Sequence, residues 1–280
     1  MRKLGLIAGG GDLPLTLASH CAQAGRPFFV LRLRGFAEAA MEAWPGAEVG
    51  VAELGRALSV LRANDCQAIC FAGVVARPDL SALKPDLRGL RALPGAINAA
   101  RKGDDALLRF LVQTLEHEGF SVEGAQEVDA GLLLQPGRLG TLALAVASEP
   151  DASRAVQIAR TLGALDVGQA VVVVVGLVLA VEAQEGTDRM LRRCADLPVA
   201  IRGTVDAPRG VLVKWPKPIQ ERRIDLPTIG ARTVELAAAA GLAGIVGEAG
   251  ALLLIDRDEI VATADRLGLF VQGAAGDAYV

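Results

Sequence analysis

An α/β fold in two domains, the first built on a parallel, doubly wound sheet, follows from three observations. Short apolar runs alternate with helical stretches through the first half of the chain. Apolar residues make up 52% of the chain and aromatics only 4%, so Val, Leu, Ile and Ala must fill the core; such cores suit sheets covered by helices. Glycines and a proline punctuate Ala130 to Arg138, where the character of the sequence changes. A length of 280 residues fits about two domains, here divided as 1–132, a linker at 133–142, and 143–280.

The elements follow in order. Lys3 to Ala8 is a strand feeding the Gly9-Gly10-Gly11-Asp12 turn. A helix runs from Leu13 to Ala24, with Pro14 in the first turn, where its missing N–H is tolerated. Pro27 to Leu33 and Ala47 to Val51 are strands, and Leu54 to Asn64 is a helix. Ala68 to Val74 is a strand reaching Gly73, Asp104 to Glu118 a helix, and Phe120 opens a late strand. In the second half, a helix covers Ala152 to Gly163. The Val-rich run from Ala170 reads as two buried strands meeting at Gly176; it falls short of the ~20 residues a membrane span needs. A helix from Thr187 to Cys194, a strand from Val211 to Lys214 and a helix from Thr228 to Ala240 come next. Strands at Gly244 to Val246 and Ala251 to Leu254 precede a closing helix, Arg257 to Leu267, and the tail after Gly273 is expected to fray.

Composition excludes several functions. The net charge is −3 and no long basic run exists, which disfavours a nucleic-acid partner. Four cysteines without a Cys-x-x-Cys pair, and only two histidines, disfavour a zinc site and fit a reducing cytoplasm. His20 and His117 read as packing or surface residues. The apolar stretch after Met1-Arg2-Lys3 breaks at Gly9, too soon for a signal peptide. No Gly-x-x-x-x-Gly-Lys-Ser/Thr loop and no Gly-x-Ser-x-Gly elbow occurs.

Four stretches can carry chemistry. The turn after the first strand offers backbone N–H groups to a phosphate, or is a plain strand-to-helix turn. Its third glycine position is Pro14, and Arg32 and Arg34 end the second strand, which keeps an NADP-dependent oxidoreductase as the alternative enzyme. Asp104 and Asp105 open a helix; they suit Mg²⁺ or simple N-terminal capping. Glu182, Glu185 and Asp188 follow a buried strand, where α/β sites form, although Thr187 and Asp188 can also cap the next helix. Lys214 to Gly230 holds Pro216, Pro218 and Pro227 with Lys214, Lys217, Arg222 and Arg223 around Asp225. A rigid cationic loop suits a diphosphate, and Asp225 suits a metal or an attacking water; a solvated surface loop is the plainer reading. A nucleotide- or lipid-binding protein without catalysis would use the same features.

Taken together, Gly103-Asp104-Asp105, Glu182-x-x-Glu185-Gly186-Thr187-Asp188 and Lys217-Pro218-x-Gln220-x-x-Arg223-x-Asp225-Leu226-Pro227 resemble the LpxI family of UDP-2,3-diacylglucosamine pyrophosphatases of lipid A biosynthesis. The resemblance covers nearly the whole chain. It implies a Rossmann-like N-terminal domain, a distinct C-terminal α/β domain and a substrate between them. It also implies Mg²⁺-dependent attack of water on the β-phosphorus, yielding 2,3-diacylglucosamine 1-phosphate (lipid X) and UMP. On this reading Asp225 is catalytic. The metal candidates are Asp104, Asp105, Glu185, Asp188 and Asp225, and the substrate contacts are Gly10, Gly11, Asp12, Gly73, Thr187, Lys214, Lys217, Gln220 and Arg223. The protein is expected to be cytoplasmic, meeting the inner membrane peripherally, and a homodimer is compatible with its size.

Overall fold

The computed structural model describes residues 1–76 and 83–279, which form two units. Met1–Gly131 and Glu221–Asp225 make the first; Leu132–Gln220 and Leu226–Val280 make the second.

In the first unit, β1 (Leu4–Ala8), β2 (Phe28–Leu33), β3 (Gly46–Val49), β4 (Ala68–Ala72) and β5 (Ser121–Val122) lie in the order β3-β2-β1-β4-β5. Every pairing is parallel, with Leu4 opposite both Phe28 and Ala68. The helices are α1 (Leu13–Gln23), α2 (Leu54–Ala63), α3 (Leu87–Ala100), α4 (Asp104–His117) and the short α5 (Ala125–Val128). Leu31, Val49 and Ile69 pack against Leu58 and Leu61 of α2 and Val112 and Leu115 of α4, and Ile224 joins this cluster from far along the chain. The strand order reverses between β1 and β4, so the turns leaving those strands stand where open α/β sheets bind ligands.

The helix α3 has no counterpart in the sequence reading. Gly89, Pro94 and Gly95 lie inside it, and such residues disfavour helix interiors. Tertiary contacts override them. The Asp86 carboxylate accepts the N–H groups of Gly89 and Arg56, each at 2.8 Å, capping α3 and tying it to α2. A Cβ at Gly95 would lie 2.8 Å from the Phe110 ring, so glycine there lets α4 approach.

In the second unit, β6 (Gly137–Leu139), β7 (Ala170–Val174), β8 (Leu177–Val181), β9 (Val211–Lys214), β11 (Gly244–Glu248) and β13 (Phe270–Ala274) form a mixed sheet, β6-β13-β11-β9-β7-β8. The helices are α6 (Glu149–Ala164), α7 (Thr187–Ala195), α8 (Ala231–Ala239) and α9 (Arg257–Leu267). Strand periodicity splits the core. Val172, Val174 and Leu212 face α7, α8 and α9 through Met190, Val234 and Ile260. Val171, Val173, Val211 and Val213 face Ala152, Ala155, Val156 and Ala159, the apolar stripe of α6.

The structure departs from the sequence expectation in three places. β8 is the sheet edge, so Leu177 and Val178 are exposed rather than buried. The helix expected from Thr228 starts at Ala231, because Thr228–Ile229 is β10, parallel to β12 (Leu253–Leu254). Pro227 and Gly230 bracket that extended pair. As far as Tyr279 the tail is packed: β13 runs through Ala274, Arg160 donates to the Gly276 carbonyl, and Tyr279 packs on the α6 cluster. Among the described residues, no helix is long and apolar enough to cross a membrane.

Candidate functional site

The turns after β1 and β4 close on each other. Gly10 and Val74 exchange N–H···O bonds of 2.9 Å in both directions, and the Gly9 N–H donates to the Ala72 carbonyl at 2.8 Å. Gly73 has φ +88°, and a Cβ there would stand 2.5 Å from the Gly10 oxygen. Gly11, at φ +85°, has open space around it. Gly10, Gly11, Asp12 and Gly73 therefore share the reversal point of the sheet. Asp12 stands exposed at the N-terminus of α1 without a side-chain capping bond. A residue that sequence reasoning missed sits beside them: the Glu38 carboxylate accepts the Gly11 N–H at 3.1 Å. No local pattern signals a contact across 27 positions. The arginines of the NADP alternative are already engaged. Arg32 donates to the Met41 and Trp44 carbonyls, and Arg34 pairs with Glu48 and Glu53.

A second cluster gathers at α4. Asp105 is buried, 7% exposed. Its Oδ2 accepts from Arg109 Nε at 2.7 Å, and its Oδ1 accepts the Glu221 N–H at 2.6 Å, across 116 positions. Glu221 forms a two-point pair with Arg223, at 2.9 Å for each bond, and Arg223 also reaches Glu116 at 2.6 Å. The Arg223 hydrogen bonds hold the Glu221 carboxyl below the usual carboxylate range. The Arg222 carbonyl accepts from Gln126 Nε2 at 3.1 Å, and the Asp225 N–H returns to the Glu221 carbonyl at 3.1 Å. Asp104, Asp105, Arg223 and Asp225 thus belong to one unit. The guanidinium of Arg223, a candidate for the substrate, is shared here between two carboxylates. Arg109 was legible as an i,i+4 partner of Asp105; Glu116 and Gln126 were not.

The second unit holds the other candidates. Lys214, the buried last residue of β9, donates to the Thr228 carbonyl at 2.7 Å. Lys217 Nζ pairs with Asp166 at 2.6 Å, and its N–H donates to Gln220 Oε1 at 2.9 Å. Gln220 in turn donates to Gln169 Oε1 at 3.3 Å. The Gln169 N–H reaches Glu182 Oε2 at 3.2 Å, and the other Glu182 oxygen accepts from Thr187 Oγ1 at 2.6 Å. Gln169 therefore links the acidic motif to the proline-rich loop. Glu185 pairs with Arg193 at 2.9 Å, and Asp188 with Arg232 at 2.9 Å. Asp166 and Gln169 carried no sequence signal, being single polar residues in a turn.

Among the described residues, no three His, Cys, Asp or Glu side chains gather as a ready metal cage. Mg²⁺ asks for less: one or two carboxylates, with waters and phosphates completing its shell. Asp104 and Asp225 fit that chemistry as half-buried oxygen donors within one unit.

A family model described as the LpxI N-terminal domain matches residues 3–132, and one described as the LpxI C-terminal domain matches residues 135–272. The UDP-2,3-diacylglucosamine pyrophosphatase LpxI of Caulobacter vibrioides is 60% identical over 273 residues, covering 98% of this chain and 98% of that protein. With both family models matched and identity this high over nearly the whole length, the chain belongs to the LpxI family.

Proposed function

We propose that this chain hydrolyses the pyrophosphate of UDP-2,3-diacylglucosamine to 2,3-diacylglucosamine 1-phosphate and UMP. The observation that carries the proposal is the 60% identity, over 98% of both chains, to a relative named for that substrate and reaction. In this reading the oxygen of water attacks the sugar-bearing phosphorus, the bond to the bridging oxygen breaks, and UMP leaves. Asp225 orients the water and takes its proton. Asp104 and Asp225 would hold Mg²⁺, which when bound draws charge from the phosphate oxygens. The glycine turn and Gly73 offer close backbone approach to the nucleotide. Thr187, Lys214, Lys217 and Gln220 are the proposed substrate contacts of the second unit. A diacylated substrate resides in a bilayer, so the same reading has the protein meeting a membrane surface peripherally.

The test is UMP release from UDP-2,3-diacylglucosamine with Mg²⁺, for the wild type, Asp225→Ala and Asp225→Asn. Loss of a positioned base costs on the order of 10²–10⁴-fold, so both variants should fall by that much while keeping their folded spectra. No release by the wild type would overturn the proposal; full release by both variants would remove Asp225 from the chemistry.

A further inference from the structure

Both oxygens of the buried Asp105 carboxylate are engaged. Arg109 Nε lies 2.7 Å from Oδ2 and its Nη2 2.5 Å, while the Glu221 N–H lies 2.6 Å from Oδ1. The side chain is 8% exposed. A cation bound at Asp105 would sit close to the Arg109 guanidinium, which already neutralises the carboxylate, and like charges repel.

Glu221 is used through both of its backbone groups. Its N–H is fixed by Asp105, and its carbonyl accepts the N–H groups of Ile224 at 3.0 Å and Asp225 at 3.1 Å. Whatever holds Glu221 therefore holds the turn that ends on Asp225. Three further tethers come from the same unit: Arg223 to Glu116, Gln126 to the Arg222 carbonyl, and Ile224 against the strand-and-helix cluster. The Asp105 contact fixes the backbone N–H of the residue whose carbonyl closes the turn.

We propose that Asp105, braced by Arg109, is a positioning residue that holds the Glu221–Asp225 turn and thereby places Asp225, and that it is not a ligand of Mg²⁺. This rests on the reading of Asp225 as catalytic. Asparagine keeps an oxygen for the Glu221 N–H; alanine does not. Misplacing a reacting group by about 1 Å can cost 10²-fold, and losing the hydrogen bond should open the turn about tenfold more often.

The experiment compares wild type, Asp105→Asn and Asp105→Ala by amide hydrogen exchange at residues 221–225 and by turnover at graded Mg²⁺. Expected for Asp105→Ala are exchange about tenfold faster at Glu221 and Asp225, and kcat down by up to about 10²-fold, with the Mg²⁺ concentration for half-maximal rate unchanged. Asp105→Asn should restore protection and most of the turnover, which also covers an alanine variant that fails to fold. A Mg²⁺ requirement raised tenfold or more in Asp105→Asn with protection intact would show a metal ligand and overturn the proposal. Fast exchange with unchanged kcat would reduce Asp105 to a structural residue and overturn it as well. If the wild type releases no UMP, the functional reading fails by itself, and the exchange rates still decide whether Asp105 holds the turn.

Discussion

Val175 occupies the first position of the two-residue turn between β7 and β8, at φ +47°, with Gly176 at φ +76°. Two successive positive φ values belong to the I′ hairpin turn, whose usual first residue is Asn, Asp or Gly. A β-branched residue there is strained. Val175 is also 70% exposed and so gains little by burial. The buried Asp151 carboxylate makes the turn affordable, accepting the Val175 N–H at 2.8 Å and the Gly176 N–H at 2.7 Å. Val175→Asn should therefore stabilise the chain by about 1 kcal/mol, read as a higher urea midpoint at unchanged m. A lower midpoint would mean that the valine side chain has packing the turn geometry does not reveal. Gly176 was legible as a turn, because glycine punctuates an apolar run. Asp151 was not, since it lies 24 positions from the N–H it binds.

The Glu221–Asp225 segment behaves as an element although it is neither helix nor strand. Its cations and the prolines on either side marked it in the sequence, but its partners decide its chemistry. Glu221 is held below the ordinary carboxylate range, chiefly by Arg223. A depressed carboxyl stabilises the folded state above its unfolded pKa of about 4.3, and that contribution is lost as pH falls through the lower folded value. Glu221→Gln should thus speed amide exchange across residues 221–225 at neutral pH. The gap to wild type should close as pH drops below about 4. A gap that persists in acid would point to packing rather than charge. The missed α3 teaches the same lesson at this scale. Pro94, Gly89 and Gly95 argued against a helix, and the Asp86 cap with the close approach of Phe110 outweighed them.

At the scale of the whole molecule, the first unit is completed by residues that follow most of the second in the chain. A fragment of residues 1–132 lacks Ile224 from its cluster and leaves Asp105 without the Glu221 N–H. Half-burial of an isoleucine and a hydrogen bond to a carboxylate suggest a loss on the order of 2–4 kcal/mol. Exchange of the β1 and β4 amides, in the fragment and in the full chain, measures that loss directly. Equal protection in both would show that the first unit does not depend on the returning segment.

The sequence by itself determined the alternation of strands and helices, the two α/β halves, the buried Val-rich strand and the family motifs. These are short-range features: periodicity, glycine at positive φ, and residue types at fixed spacing. It also located the candidate residues, because prolines, acids and cations concentrate in few loops. Only the tertiary structure decided what each of them touches. It set Glu38 on the Gly11 amide, gave Lys217 to Asp166, divided Arg223 between Glu221 and Glu116, and assigned the Glu221 N–H to Asp105. Apart from Arg223 with Glu221, those pairings join residues 27 to 116 positions apart. They depend on where chain reversals bring the backbone, and no local preference encodes that.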